Sequence, residues 1–310
     1  MISWRYHLIS IVAVFLALAL GVLAGTTVIN DSLVNDLRSR TSQLQRDLAA
    51  RNGQLDQSTK QADQFQTYAD EAFPFLAANR LVGRDVLVVT QTGVDAATLN
   101  NVDEALGLSG AKVVNTLIVR PTIAAATTGD QKTLAADLGA SPQTAAAQLP
   151  RLAAEMIATR LHDGAPSTIR PNQEDLLAGL LSDGFLDTSA PVSDTAAIGG
   201  AGQLVIVIGG GASDTIPPPA GFLVPLTAQL TRSGTTTLAG EAKPTPDGFV
   251  LQVRSTVTEG EGPLVTVDDL ANSMGGGALV LGLQRAADQG VGGNYGIDRE
   301  SGATLLPPPP

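Results

Sequence analysis

The residues able to bind a metal or attack a substrate are few in this chain and lie far apart. Its 310 residues include two histidines, three methionines and no cysteine. Soft-metal sites are built from thiolates and thioethers, and harder transition-metal sites from imidazole. Beyond His7, those donors reduce to Met156, His162 and Met274. Met156 and His162 are six positions apart and so face different sides of a helix. His162 is also the one imidazole there that could serve a Ser-His-Asp relay. Followed by Asp163 and Gly164, it reads instead as a polar residue closing a helix. Gly209, Gly210 and Gly211, with Ala212 and Ser213, follow an apolar strand and could cradle an anion with backbone amides. They do not spell GxGxxG, and Pro217, Pro218 and Pro219 come soon after, so a tight turn is the plainer reading. Asp268 and Asp269 read as a helix start rather than as paired catalytic acids. No ligand cluster and no nucleophile–base pair emerges, no cofactor is evident, and the chain reads as a non-enzyme.

The elements that would position any function are more informative. Residues 8 to 29, LISIVAVFLALALGVLAGTTVI, carry no charge. As a helix they span about 33 Å, enough for the hydrocarbon core of a bilayer. The polar groups in the run are hydroxyls, Ser10, Thr26 and Thr27, which can bond back to helix carbonyls. Val22-Leu23-Ala24 could be a signal-peptide cleavage site. However, the run is longer than a usual signal core, Arg5 is the sole charged side chain before it, and the helical pattern continues past the cut, so a retained anchor is expected. Arg5 favours a cytoplasmic N-terminus with the rest outside, and Trp4 and Tyr6 suit the interfacial belt. Ala13, Ala17, Gly21 and Gly25 recur every four residues and share a ridge. Gly21 to Gly25 is a literal GxxxG, so this ridge is expected to be a transmembrane packing seam.

Residues 30 to 70 are polar and contain no proline. Leu33, Leu37, Leu44, Leu48 and Leu55 step by four and seven, an eleven-residue repeat that keeps one narrow stripe on a nearly straight helix. A stripe this narrow suits the seam of a dimeric coiled coil, the alternative being a solvated helix packed on its own domain. The glycine ridge and the leucine stripe are offset by roughly 80–120°, so a kink or twist near Thr26–Asn30 would be needed to align them.

All 30 acidic residues and all but one of the 19 Lys and Arg follow the anchor, so that part is strongly net negative. Such a body does not favour nucleic acid or anionic lipid. Without cysteine it has no disulfides, and about 280 residues bury a core without them. Asp85–Thr90 and Lys112–Val119 read as apolar strands around a helix capped by Asp95, a βαβ unit with parallel strands. Gln203–Ile208 reads as another strand, Phe222–Arg232 as a helix and Thr235–Ala239 as a strand. Val250–Val257 is expected to be an edge strand and Asp268–Ala287 a last helix. Residues 120–190 read as entirely helical, over about 130–138, 142–162 and 172–183, the last capped at Asn172 with Glu174 and Asp175 in its first turn.

The expected fold class is therefore α/β: an N-terminal transmembrane helix, a coiled-coil stalk and a Rossmann-like or flavodoxin-like parallel-sheet body with a helical insertion. The expected layout is a cytoplasmic stub and anchor over 1–29 and a stalk over 30–70. An extracytoplasmic α/β domain over 80–303 follows, with its helical insertion at 120–190, then a proline-rich tail over 304–310. A membrane β-barrel is not expected, because the strands are short and wholly apolar rather than alternating.

The opening MISWRYHLISIVAVFLALALGVLAG resembles the start of the actinobacterial MctB copper-transporter family. The stalk, the strand after Gly83-Arg84 and the late Gly293-Asn294-Tyr295-Gly296 are similar to it as well. The resemblance covers nearly the whole chain. It implies a cell-membrane, single-pass envelope protein of copper efflux and resistance, a family in which pores have been described. A related member is described as acting with a membrane partner in cell-envelope assembly and cell-wall hydrolase control. The alternative it implies is thus a dimeric, non-enzymatic scaffold for an envelope protein partner. Copper comes from the resemblance alone, and no metal ligand is carried over with it.

Overall fold

The structure is a computed structural model that describes residues 4–141, 143–165, 175–191, 195–210, 218–258, 260–298 and 302–308. Within the first helix the side chains of 26–33 fall outside the description. The Asn172–Glu174 cap, the turn from Gly211 to Ser213, the hydroxyls of Thr26 and Thr27 and the side chain of Leu33 therefore lie outside it. The chain divides into two units, Met1–Thr67 and Tyr68–Pro310.

Helix α1 runs from Trp4 to Ala77 and is one α-helix through Thr26–Asn30, between the small-residue ridge and the leucine stripe. Gly53 is the only glycine between Gly25 and Gly83, and the one proline, Pro74, stands in the last turns. Some described polar side chains of 34–67 serve the helix itself: Thr41 Oγ1 donates to the Leu37 carbonyl at 2.8 Å, and Arg40 pairs with Asp36 at 3.0 Å.

In the second unit, β1 (Asp85–Gln91), α2 (Ala96–Ser109) and β2 (Lys112–Val119) form the expected parallel βαβ unit. Asp95 caps α2 by accepting the Thr98 amide, and Gly110 closes it at φ 72°, a left-handed position that suits glycine. Helices α3 (Thr128–Asp137), α4 (Leu149–Asp163) and α5 (Leu176–Ser182) follow. Leu186–Thr188 then forms β3, antiparallel to β2, so 120–190 is not wholly helical. The chain continues through β4 (Leu204–Gly209), α6 (Leu223–Arg232) and β5 (Thr237–Glu241). Phe249–Thr256 is helix α7, not an edge strand. Its buried Phe249, Val250 and Val253 recur at helical spacing from Gly248, which opens the helix. Strand β6 (Leu264–Val267), helix α8 (Ser273–Gln289) and strand β7 (Gly293–Tyr295) complete the unit.

The seven strands lie in the order β3-β2-β1-β4-β5-β6-β7, all parallel except β3. Strand order therefore reverses beside β1, and helices cover both faces. Alternate side chains split the core. Leu87, Val89, Val205 and Val207 face α3 to α7, while Val86, Val88, Ile206 and Ile208 face α2 and α8. The end of α1 joins the second face through Phe73 and Ala77. Gly276 makes room for it, because a Cβ there would lie 3.1 Å from the Phe73 ring. The start of the tail is tied down as well: Thr304 bridges Tyr295, and Leu306 packs on the same face.

Candidate functional site

The first set of candidate residues lies along α1. Trp4–Gly25 is long and apolar enough to cross a membrane. On it Ala13, Ala17 and Gly21 are exposed and Gly25 partly so, and a Cβ at Gly21 or Gly25 would meet nothing within 4 Å. Those two glycines thus have no packing duty inside the chain. Leu37, Leu44, Leu48 and Leu55 are 55–65% exposed. These are large apolar side chains held at regular spacing with no partner surface from their own unit.

The second set lies in the body, at the carboxyl ends of β5 and β6. Glu241, Asp268 and Asp269 are all buried, together with Arg254 of α7. Arg254 donates from Nη1 to Asp268 Oδ2 at 2.8 Å, from Nε to Thr266 Oγ1 at 2.8 Å and from Nη2 to the Tyr295 carbonyl at 2.9 Å. Asp268 Oδ1 accepts the Ile297 amide at 2.8 Å. One ion pair thus stitches α7 to β6 and to the segment after β7. Burial pushes Glu241 up to about 7, with the Asp268 charge adding to the rise and the Phe249 and Val250 amides opposing it. Burial also raises Asp269 to about 6, again reinforced by Asp268. Asp268 and Asp269 do not start a helix: α8 begins later, and Asn272 caps it by accepting the Gly275 amide at 3.0 Å. Sequence reasoning missed Glu241 and Arg254. Their signal was position alone, one a charged residue at the end of an apolar strand and the other a lone cation on an apolar helix face.

A second buried pair is structural. Arg160 donates from Nε and Nη2 to Asp175 at 2.6 and 3.0 Å, from Nη1 to the Ile198 carbonyl at 2.9 Å and from Nη2 to the Thr195 carbonyl at 3.2 Å. Burial works to raise Asp175, but the hydrogen bonds from Arg160 and Thr195 outweigh it and hold the carboxyl below its usual range.

The remaining sequence candidates stand apart. His162 lies in the last turn of α4 and meets Thr235 Oγ1 through Nδ1 at 3.0 Å. Met156 packs against the core on the α4 side of the sheet, whereas Met274 is on α8 on the other side. No group of three or more His, Cys, Asp or Glu able to hold a metal occurs among the described residues. Gly209 ends β4, and a Cβ there would lie 2.5 Å from the Phe249 ring, so close packing requires this glycine.

The architecture is that of an α/β domain following one membrane-length helix. The chain belongs to the MctB family, described as copper transport outer membrane protein, which it matches over residues 1–307. It is 26% identical over 315 residues to the copper transporter MctB of Mycobacterium bovis, with 96% of each chain covered. The copper transporter MctB of Mycobacterium tuberculosis matches with the same identity and coverage. The family is named for transport rather than for a catalysed reaction. Its name places it at an outer membrane, where spanning proteins are usually barrels of strands of about ten residues. The described strands here are three to eight residues long and form an open sheet with helices on both faces. Trp4–Gly25 is the one described helix of membrane length.

Proposed function

We propose that this chain is a single-pass envelope protein of copper efflux and resistance, with copper as cargo. Trp4–Gly25 is the anchor, the N-terminus is cytoplasmic, and the body lies outside. Residues 30–70 pair as a parallel coiled-coil stalk, and the body is Rossmann-like, an assignment supported by the reversal of strand order beside β1. The match to the copper transport family over residues 1–307 carries the reading. Parallel pairing follows from two anchors entering one membrane from the same side. The test is deletion of the gene followed by growth in graded copper. Increased sensitivity, rescued by the full chain but not by one lacking residues 4–25, supports the proposal. Unchanged copper tolerance contradicts it.

A second reading ranks behind the first: a non-enzymatic dimeric scaffold that presents its acidic body to an envelope protein partner in cell-wall assembly or hydrolase control. It draws support from the thioethers and the imidazole lying apart in the body, and from the absence of a metal-holding group among the described residues. Under this reading, deletion gives envelope defects at normal copper tolerance, and the purified chain does not bind copper stoichiometrically.

A further inference from the structure

Glu241, Asp268 and Asp269 are 2%, 1% and 2% exposed. Among the described residues, the charged groups that face Glu241 and Asp269 are Asp268 and Arg254, while Lys243 and Asp247 on the loop after β5 are exposed. Three carboxyls thus lie beside one buried guanidinium, which forms an ion pair with Asp268. Two further negative charges in such a place are strongly disfavoured unless they are neutralised. Glu241 Oε2 and Asp269 Oδ1 also have no hydrogen-bond partner among the described residues.

Each carboxyl is sealed by a glycine. A Cβ on Gly248 would lie 2.6 Å from Glu241 Oε2, one on Gly275 2.9 Å from Asp269 Oδ1, and one on Gly296 2.0 Å from Asp268 Oδ1. Three backbone segments therefore pack directly against three acids that are at most 2% exposed. Groups so enclosed are neutralised most readily by a proton.

We infer that the carboxyl ends of β5 and β6 form a proton-responsive latch. Neutral Glu241 and Asp269 hold the start of α7 and the turn before α8 closed, and their ionisation loosens both. The sign follows from the two raised pKa values. The stabilisation is fully present below about pH 4, where both groups are protonated in the folded and unfolded chains alike. It is lost as pH rises through about 6 for Asp269 and about 7 for Glu241.

Amide hydrogen exchange on the full chain in detergent micelles, corrected for intrinsic rates, tests the latch between pH 5.5 and 8.5. Protection at 241–257 and 268–276 should fall at least about tenfold across that range, while β1 and β4 change little. In the Glu241→Gln, Asp269→Asn double variant the same segments should be flat with pH. A flat wild type, or a variant that follows the wild-type slope, overturns the inference. Should the double variant fail to fold, carbon NMR of the wild-type carboxyls decides. Glu241 titrating near neutrality supports the latch, and titration below about pH 5 refutes it.

Discussion

Residues 4–67 and residues 68–310 use their apolar side chains in opposite ways. In the first unit the described ones stand on the outside of a helix: the membrane-length run Trp4–Gly25, then Leu37, Leu44, Leu48 and Leu55, all exposed. In the second, the apolar residues of β1 and β4 alternate between two closed cores, and β4 is buried at every position. The exposed set needs lipid or another chain to remove it from water, while the buried set is complete within its own unit. Their polar groups differ in the same way. Thr41 and Arg40 on α1 bond within their own helix, whereas the body also ties buried polar groups across separate segments, Arg160 to Asp175 and Arg254 to Asp268.

The largest expected effect comes from the body's buried ion pair. Arg254→Leu leaves Asp268 buried without its cation, and should lower body stability by about 3–5 kcal/mol, read by denaturant unfolding of the full chain in detergent. An effect under about 1 kcal/mol would mean that the pair is not what joins α7 to β6. A matched pair of leucine truncations sharpens the contrast. Leu238 is fully buried and Leu48 is 59% exposed. Leu238→Ala should cost the body about 2–5 kcal/mol, and Leu48→Ala should leave its melting unchanged while weakening self-association. Equal effects on melting would erase the distinction between the units. The smallest effect belongs to the membrane ridge. Gly21→Ile with Gly25→Ile should weaken helix pairing in lipid by about 1 kcal/mol, measured by energy transfer between labelled fragments ending before Leu33. Leu18→Ile with Val22→Ile should weaken it less, and equal losses would make the small residues compositional.

Much of this contrast was readable in the amino acids. The uncharged run and the leucine spacing are long, regular patterns, and α1 follows them beyond the expected stalk end at residue 70 to Ala77. Strand β2 falls on Lys112–Val119 as expected, and Asp95 caps α2. The losses came where the pattern is short. β3 and β7 have three residues each and β6 has four, too few to show a period. Helix α7 reads as a strand because its Val250 and Val253, with Val257 just after it, favour strands locally, while the buried Phe249 that fixes the helical face lies outside the valine run. The acidic cluster was the hardest to see. Glu241, Arg254, Asp268 and Gly296 are far apart in sequence, and only strand order brings them together. Asp268-Asp269 beside an apolar helix gives the same local signal as a helix start, and Asn272 fills that role instead.

The most direct test of the central claim, that α1 displays seams for a second chain, uses the natural absence of cysteine. Single cysteines at Leu37, Leu44, Leu48 and Leu55 are introduced one at a time into the full chain in native membranes and oxidised, with Arg46→Cys as the off-stripe control. The account predicts disulfide-linked dimers at the stripe positions and little at residue 46. Monomers at every stripe position, or dimers formed equally at residue 46, would contradict it.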